Sequence, residues 1–201
     1  MSTNMAMKRA AKAKRRKAII GQKRKTEFLE SSLPERVKRA ASTPIQYCLL
    51  TERLLENGSG ILVLARGATP HHLAAGIFML DSFSLGVKDV SFRHWDGDEF
   101  AASMASLGST IELQAVEPSF ARKLLCELTA WARTIGFAPA PNFAVIEGLF
   151  GEVTAEACDA AFQFGHEGKP LYIQGLHESP QQAHRRLETV QSYIRATKSA
   201  A

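Results

Sequence analysis

Long apolar runs are missing from this chain of 201 residues. None approaches the roughly 18 residues needed to cross a bilayer, and the longest candidates are broken by Gly, Arg or Asp. The Lys/Arg-rich start has no apolar stretch behind it, so a secretory leader is not expected. Cysteine is scarce: Cys48, Cys126 and Cys158 are odd in number and never spaced Cys-x-x-Cys. That suits a reducing cytoplasm and argues against a disulfide framework or a zinc knuckle. Histidines occur as His71-His72 and singly at His94, His166, His177 and His184, without a His-x-x-x-His pair. A Gly-x-Ser-x-Gly elbow is lacking around Ser82 and Ser84, which disfavours a serine hydrolase. Gly165-His166-Glu167-Gly168-Lys169-Pro170 departs from a Walker loop, since proline follows the lysine where a helix should open. No cofactor is implied by any motif.

Acids are missing where bases are densest. Residues 1–40 hold thirteen Lys and Arg against Glu27, Glu30 and Glu35, a net of +10. The remaining 161 residues hold twelve bases against seventeen acids, a net of −5. Ten of the bases fall between Lys8 and Lys25 with no acid among them: Lys8, Arg9, Lys12, Lys14, Arg15, Arg16, Lys17, Lys23, Arg24 and Lys25. Such density neutralises phosphates and releases condensed counterions, which gives affinity for nucleic acid without sequence preference. The interleaved alanines favour helix, but unrelieved like charges repel along it. The arm is therefore expected to be disordered or partly helical alone and to order on RNA, DNA or a ribosomal surface. With no aromatic before Phe28, it is not a base-stacking platform. A solubilising tail or an import address is the bland reading.

The pattern divides the chain into a basic arm, residues 1–42, and one α+β domain, residues 43–201. Ser31-Ser32-Leu33-Pro34 breaks the arm before a short helix through Arg39. Four short strands are expected at Ile45–Leu50, Ile61–Ala65, Leu73–Leu80 and Val87–Phe92, with a helix opened by Pro44 as the rival reading of the first. Turns are expected at Asn57-Gly58-Ser59-Gly60, Gly67-Ala68-Thr69-Pro70 and Leu85-Gly86. Without room for crossover helices these strands form an antiparallel meander. Asp98 is placed to cap a helix from Glu99 to Leu107, and Ile111–Val116 is strand-like. Pro118 opens the clearest helix, whose stripe is Phe120, Leu124, Leu125, Leu128, Trp131, Ala132 and Ile135, closed by Gly136. Asn142–Phe150 is a shorter helix, and Thr154 starts another brief turn. Phe162–Phe164 and Leu171–Ile173 flank a polar tip as a hairpin. Ser179-Pro180-Gln181-Gln182 is a capping box opening a last helix to about Thr197.

Two stretches carry a resemblance. Leu80-Asp81-Ser82-Phe83-Ser84-Leu85-Gly86-Val87-Lys88-Asp89 resembles a Leu/Val-Asp-x-x-x-Leu-Gly-Val-Lys-Asp signature found in a group of uncharacterised bacterial proteins. Phe164–Tyr172, following Ile135–Pro139, resembles a later part of the same group. The match spans roughly residues 45–180, and it implies a bacterial origin but no activity.

Candidate chemistry beyond the arm rests on carboxylates. Asp81, Asp96 and Asp98, with Asp89 and Glu99 near them, could serve a metal-dependent nuclease or phosphodiesterase if they converge, because Mg²⁺ takes oxygen ligands and polarises a phosphate. Lys88 beside Asp89 is a candidate functional lysine, and pairing with Asp81 or Asp89 is its plainer account. The preferred expectation is a cytoplasmic, non-enzymatic protein that binds nucleic acid through residues 8–25, its acidic globule free to meet a protein partner. The alternatives are the nuclease and a protein–protein interaction module. A membrane partner is not expected.

Overall fold

A computed structural model describes residues 31–175 and 178–199. The first described element is helix α1 (Leu33–Ala41). At its start the main-chain N–H and hydroxyl of Ser32 both donate to the Glu35 carboxylate at 2.9 Å, which ties down the first turn. The chain then enters β1 (Ile45–Thr51), a short helix α2 (Leu54–Asn57), β2 (Ser59–Thr69), β3 (His72–Asp81) and β4 (Gly86–Asp96). Helix α3 (Gly97–Gly108) leads to β5 (Leu113–Ala115), followed by α4 (Pro118–Ile135), α5 (Phe143–Glu147), a 3-10 turn (Gly148–Phe150) and α6 (Pro180–Ser199). The protein is α+β: the five strands form one antiparallel sheet in the order β4-β3-β2-β1-β5. The expected meander is β1 to β4, and β5 returns to the open edge of β1.

Side chains alternate across the sheet, so it has two cores. On one face Phe78 meets Phe143 edge-on at 6.2 Å and Phe150 at 6.4 Å. Helix α4 buries Ala121, Leu124, Leu125, Leu128, Ala132 and Ile135, close to the stripe its spacing predicts. The two stripe aromatics sit at its border, Phe120 against Phe162 and Trp131 against Tyr193. On the other face Val63, Ala65, Leu73, Ala75, Trp95 and Phe100 pack together, with Leu49, Ile61, Ile77 and Met104 half-buried around them. Strand β2 is buried from both sides between Leu62 and Gly67, which is why it reads as a continuous apolar run rather than an alternation.

The run is interrupted by Arg66, a buried cation that no carboxylate faces among the described residues. Its guanidinium donates instead to the carbonyls of Ala41, Thr43 and Phe150. Two of these carbonyls end helical segments, where the backbone dipole favours positive charge. Burial still holds its pKa below the ordinary arginine value.

Several local expectations are corrected. The segment Gly67–Thr69 continues β2 across an irregularity in its pairing with β3, and the turn falls at Pro70-His71. Strand β4 runs on to Asp96. Helix α3 is capped by Asp96, not Asp98: Asp96 has extended backbone and its carboxylate accepts the Asp98 N–H at 3.2 Å. No helical turn forms at Thr154. The hairpin around residues 165–170 is reduced to a single antiparallel bridge between His166 and Lys169. Its flanks bond elsewhere: Gly165 N–H donates to the Ser82 carbonyl and Leu171 N–H to the Phe83 carbonyl. The capping box at Ser179 forms as spaced, with Ser179 and Gln182 exchanging hydrogen bonds.

Candidate functional site

The carboxylates singled out by sequence lie at two ends of one ladder. Asp81 is opposite Gly86 at one end of the β3–β4 pairing, and Asp96 is opposite His72 at the other. At about 3.3 Å per residue the two ends are about 30 Å apart. Asp81 and Asp96 therefore do not converge. Asp98 stays near Asp96 in the first turn of α3. Among the described residues no three His, Cys, Asp or Glu side chains are grouped to hold a metal ion.

Each carboxylate has a local task. Asp81 is buried in the turn between β3 and β4, where one oxygen accepts the N–H groups of Phe83, Ser84 and Leu85 at 3.1, 2.9 and 3.2 Å. Its other oxygen lies 3.9 Å from the Lys88 ammonium, which also reaches the Ser59 hydroxyl at 3.4 Å. Lys88 is thus half-buried against Asp81 rather than presented to solvent. Asp89 accepts the N–H of its own neighbour Val90 at 2.8 Å. Gly86 closes the turn at φ 72°, and a Cβ there would stand 2.6 Å from the Ala132 Cβ. The resembling residues Asp81, Leu85, Gly86, Val87 and Lys88 are those that make this turn and dock it on α4.

The histidines are dispersed. His71 and His72 are exposed at the β2–β3 turn, His94 stands edge-on to Phe92 at 5.1 Å, and His184 faces Glu188 one helical turn away. His166 lies against the Phe83 ring at 5.4 Å. His177 and the ten arm residues between Lys8 and Lys25 lie outside the described residues. Cys48 is buried, and desolvation followed by the Glu117 charge pushes its thiol up to about 12, which makes it a core residue and not a nucleophile.

One polar cluster escaped the sequence reading. Glu178, its side chain almost wholly buried, accepts the Tyr172 hydroxyl at 2.5 Å and the Gly175 N–H at 3.0 Å, and it pairs with Arg186 of α6. Desolvation opposes its ionisation, but Tyr172, Gly175 and Arg186 together outweigh it and hold the carboxyl below its ordinary range. The Tyr172 phenol is pushed up to about 12 by burial, then by its bond to Glu178 and by that residue's charge; Asp81 adds to the same effect. The cluster fastens the segment after the His166–Lys169 bridge to the last helix. The described surface includes an open groove of about 560 Å³ beside Arg185, Thr189 and Tyr193 and another of about 440 Å³ beside Gln114, Phe120 and Cys158. The first is lined by the polar side chains Arg185, Glu188, Thr189, Ser192 and Tyr193 of α6, the second by Gln114, Glu117 and Ser119 beside Phe120.

Against known proteins, the chain matches no family model, no curated protein and no solved structure.

Proposed function

We propose that the protein is a non-enzymatic, nucleic-acid-associated protein whose basic arm contacts phosphates while its acidic globule stays clear of them. The single observation that carries this reading is the run of ten Lys and Arg between Lys8 and Lys25 without one acid, attached to a remainder of opposite net charge. A polyanion attracts the arm and repels the globule, so contact concentrates on the arm. The three cysteines are free, as a reducing cytoplasm would leave them. Among the described residues no helix is long and apolar enough to cross a membrane.

The nuclease reading requires acids that meet around a metal. The separation of Asp81 from Asp96 and the folding tasks of both count against these acids as such a centre. The interaction-module reading keeps a role for the globule.

The test uses the full chain and a variant with all ten arm bases changed to Gln. Binding to labelled RNA and DNA is measured across a salt series. The expected result is a steep fall in affinity with salt for the natural chain and little binding by the variant. Equal binding by both would move contact to the globule and sink the proposal.

A further inference from the structure

We propose that the outer edge of β5 binds a basic, extended segment of a partner protein by strand addition, with one lysine or arginine side chain entering the groove between β5 and the start of α4. Strand β5 ends the sheet on the side away from β4, and among the described residues its ladder is with β1. Free main-chain groups beside a groove that takes alternate side chains are what sheets use to bind extended peptides.

The free groups follow from the ladder. The Glu52 N–H donates to the Glu112 carbonyl and the Val116 N–H to the Cys48 carbonyl, both at 3.0 Å. Leu50 stands opposite Gln114, midway between these pairs. Residues 112, 114 and 116 therefore turn their main-chain groups toward β1, and Leu113 and Ala115 turn theirs outward. Among the described residues no other hydrogen bond reaches the main chain of Leu113 or Ala115. Brevity often protects an edge from pairing. Here the terminal bonds at Glu112 and Val116 hold the chain extended on both sides of Leu113 and Ala115, so both outward residues are fixed.

Side-chain chemistry selects the occupant. Gln114 and Val116 line the groove of about 440 Å³ together with Glu117, Ser119 and Phe120, which places them on the α4 face of the sheet. Glu112 shares that face by alternation. Glu52 and Glu112 are directly opposite across the β1–β5 pair, where like charges repel. Arg53, which feels both, is paired with Glu56. Among the described residues no base lies within ion-pairing distance of Glu52, Glu112 or Glu117, all three exposed. A nucleic acid is repelled by this edge, and so is a second copy, whose β5 would bring the same acids together. A basic peptide relieves them.

The register sets the partner's pattern. In an antiparallel addition the residues opposite Ala115 and Leu113 supply the main-chain bonds. The residue between them, opposite Gln114, points its side chain into the groove, where a lysine stem lies along Phe120 and its ammonium meets Glu117. A base two positions later stands against Glu112, and an apolar residue two positions earlier covers Val116. The motif is apolar-x-basic-x-basic.

The experiment is titration of the full chain into the labelled peptide Ser-Val-Thr-Lys-Thr-Lys-Ser, read by fluorescence anisotropy, with its first lysine intended for Gln114. Binding is expected, and glutamate in place of both lysines should weaken it by about tenfold or more. Methylating the main-chain nitrogen of either threonine removes a bond to Ala115 or Leu113 and should also cost about tenfold. Methylating that of the first lysine, which points away from the edge, should cost little. Ala115→Pro deletes one outward N–H and spares the β1 ladder, so it should abolish binding with the circular dichroism spectrum kept. Glu112→Lys combined with Glu117→Lys should reverse the preference between lysine and glutamate peptides. The methylation series needs no change to the protein, so it decides even where a variant fails to fold. No binding of the lysine peptide, equal effects of methylation at the three sites, or binding unchanged in folded Ala115→Pro would each overturn the proposal. A self-dimer in sedimentation that Ala115→Pro abolishes would overturn it too, by giving the edge to a second copy.

Discussion

Replacing Asp81 by alanine leaves the N–H groups of Phe83, Ser84 and Leu85 buried without their shared acceptor. Each orphaned buried donor costs about 1–3 kcal/mol, less whatever water recovers, so a loss of about 3 kcal/mol in urea unfolding is expected. Asp96→Ala removes an exposed cap with one bond and should cost about 1 kcal/mol. Two catalytic acids would show the reverse, with stability kept and hydrolysis lost. Tyr172 and Glu178 make a second residue-level case, through pH. The folded phenol titrates near 12 against an ordinary 10, so its contribution is whole below about pH 10 and is lost as pH rises toward 12. Glu178 is depressed, so its contribution is whole above the ordinary carboxyl range and is lost as pH falls through the folded value. Tyr172→Phe should lower the plateau by about 1.5–3 kcal/mol, as expected for a hydrogen bond to a charged acceptor. The variant should also lose the late phenol in an absorbance titration. An unchanged alkaline limb would show that Tyr172 is not tied to Glu178 in solution.

Between elements, the contact of the β3–β4 turn with α4 rests on what Gly86 omits. Alanine there would be strained at φ 72° and would strike Ala132, 2.6 Å from Cβ to Cβ. Strain and overpacking together should cost about 3 kcal/mol. Ala132→Gly removes the struck atom, so Gly86→Ala should cost only about 1 kcal/mol in that background; equal costs in both would show that the helix is not what the turn meets. How legible such features were in the sequence depended on range. Helices α4 and α6 were legible because Pro118, Gly136 and the Ser179–Gln182 box act within one turn of the backbone. The meander was legible because its turns are short. The hairpin at residues 165–170 was over-read, since the main-chain groups that should have closed it bond to Ser82 and Phe83, more than 80 positions earlier. Asp96 and Asp98 are easily confused as caps because they stand two residues apart at the helix start, and only the extended backbone of Asp96 sets the cap apart from the first turn. Arg66 becomes informative only when carbonyls 25 and 84 positions away arrive around it, whereas Tyr172, Glu178 and Arg186 are near in sequence but follow no helical or strand spacing that would mark them as partners.

For the whole molecule, the segregation of charge makes a quantitative claim about binding. If the arm acts by neutralising phosphates, affinity depends on how many of its ten bases remain and little on which ones. The logarithm of the binding constant should fall linearly with the logarithm of salt, by about 0.7 per phosphate contact on single strands and 0.9 on B-form duplex. Replacing Lys8, Arg9, Lys12, Lys14 and Arg15 by Gln should therefore bring the slope to about half. Replacing Arg16, Lys17, Lys23, Arg24 and Lys25 should do the same. A base-reading arm behaves differently, because a few side chains then carry most of the discrimination, each worth about 1–3 kcal/mol, and the two half-sets part company. Equal slopes for the two half-sets, with similar affinity for unrelated sequences, mark a device that reads charge alone. A collapse of binding in one half-set with the slope nearly kept would replace that picture with specific recognition by the few residues it contains.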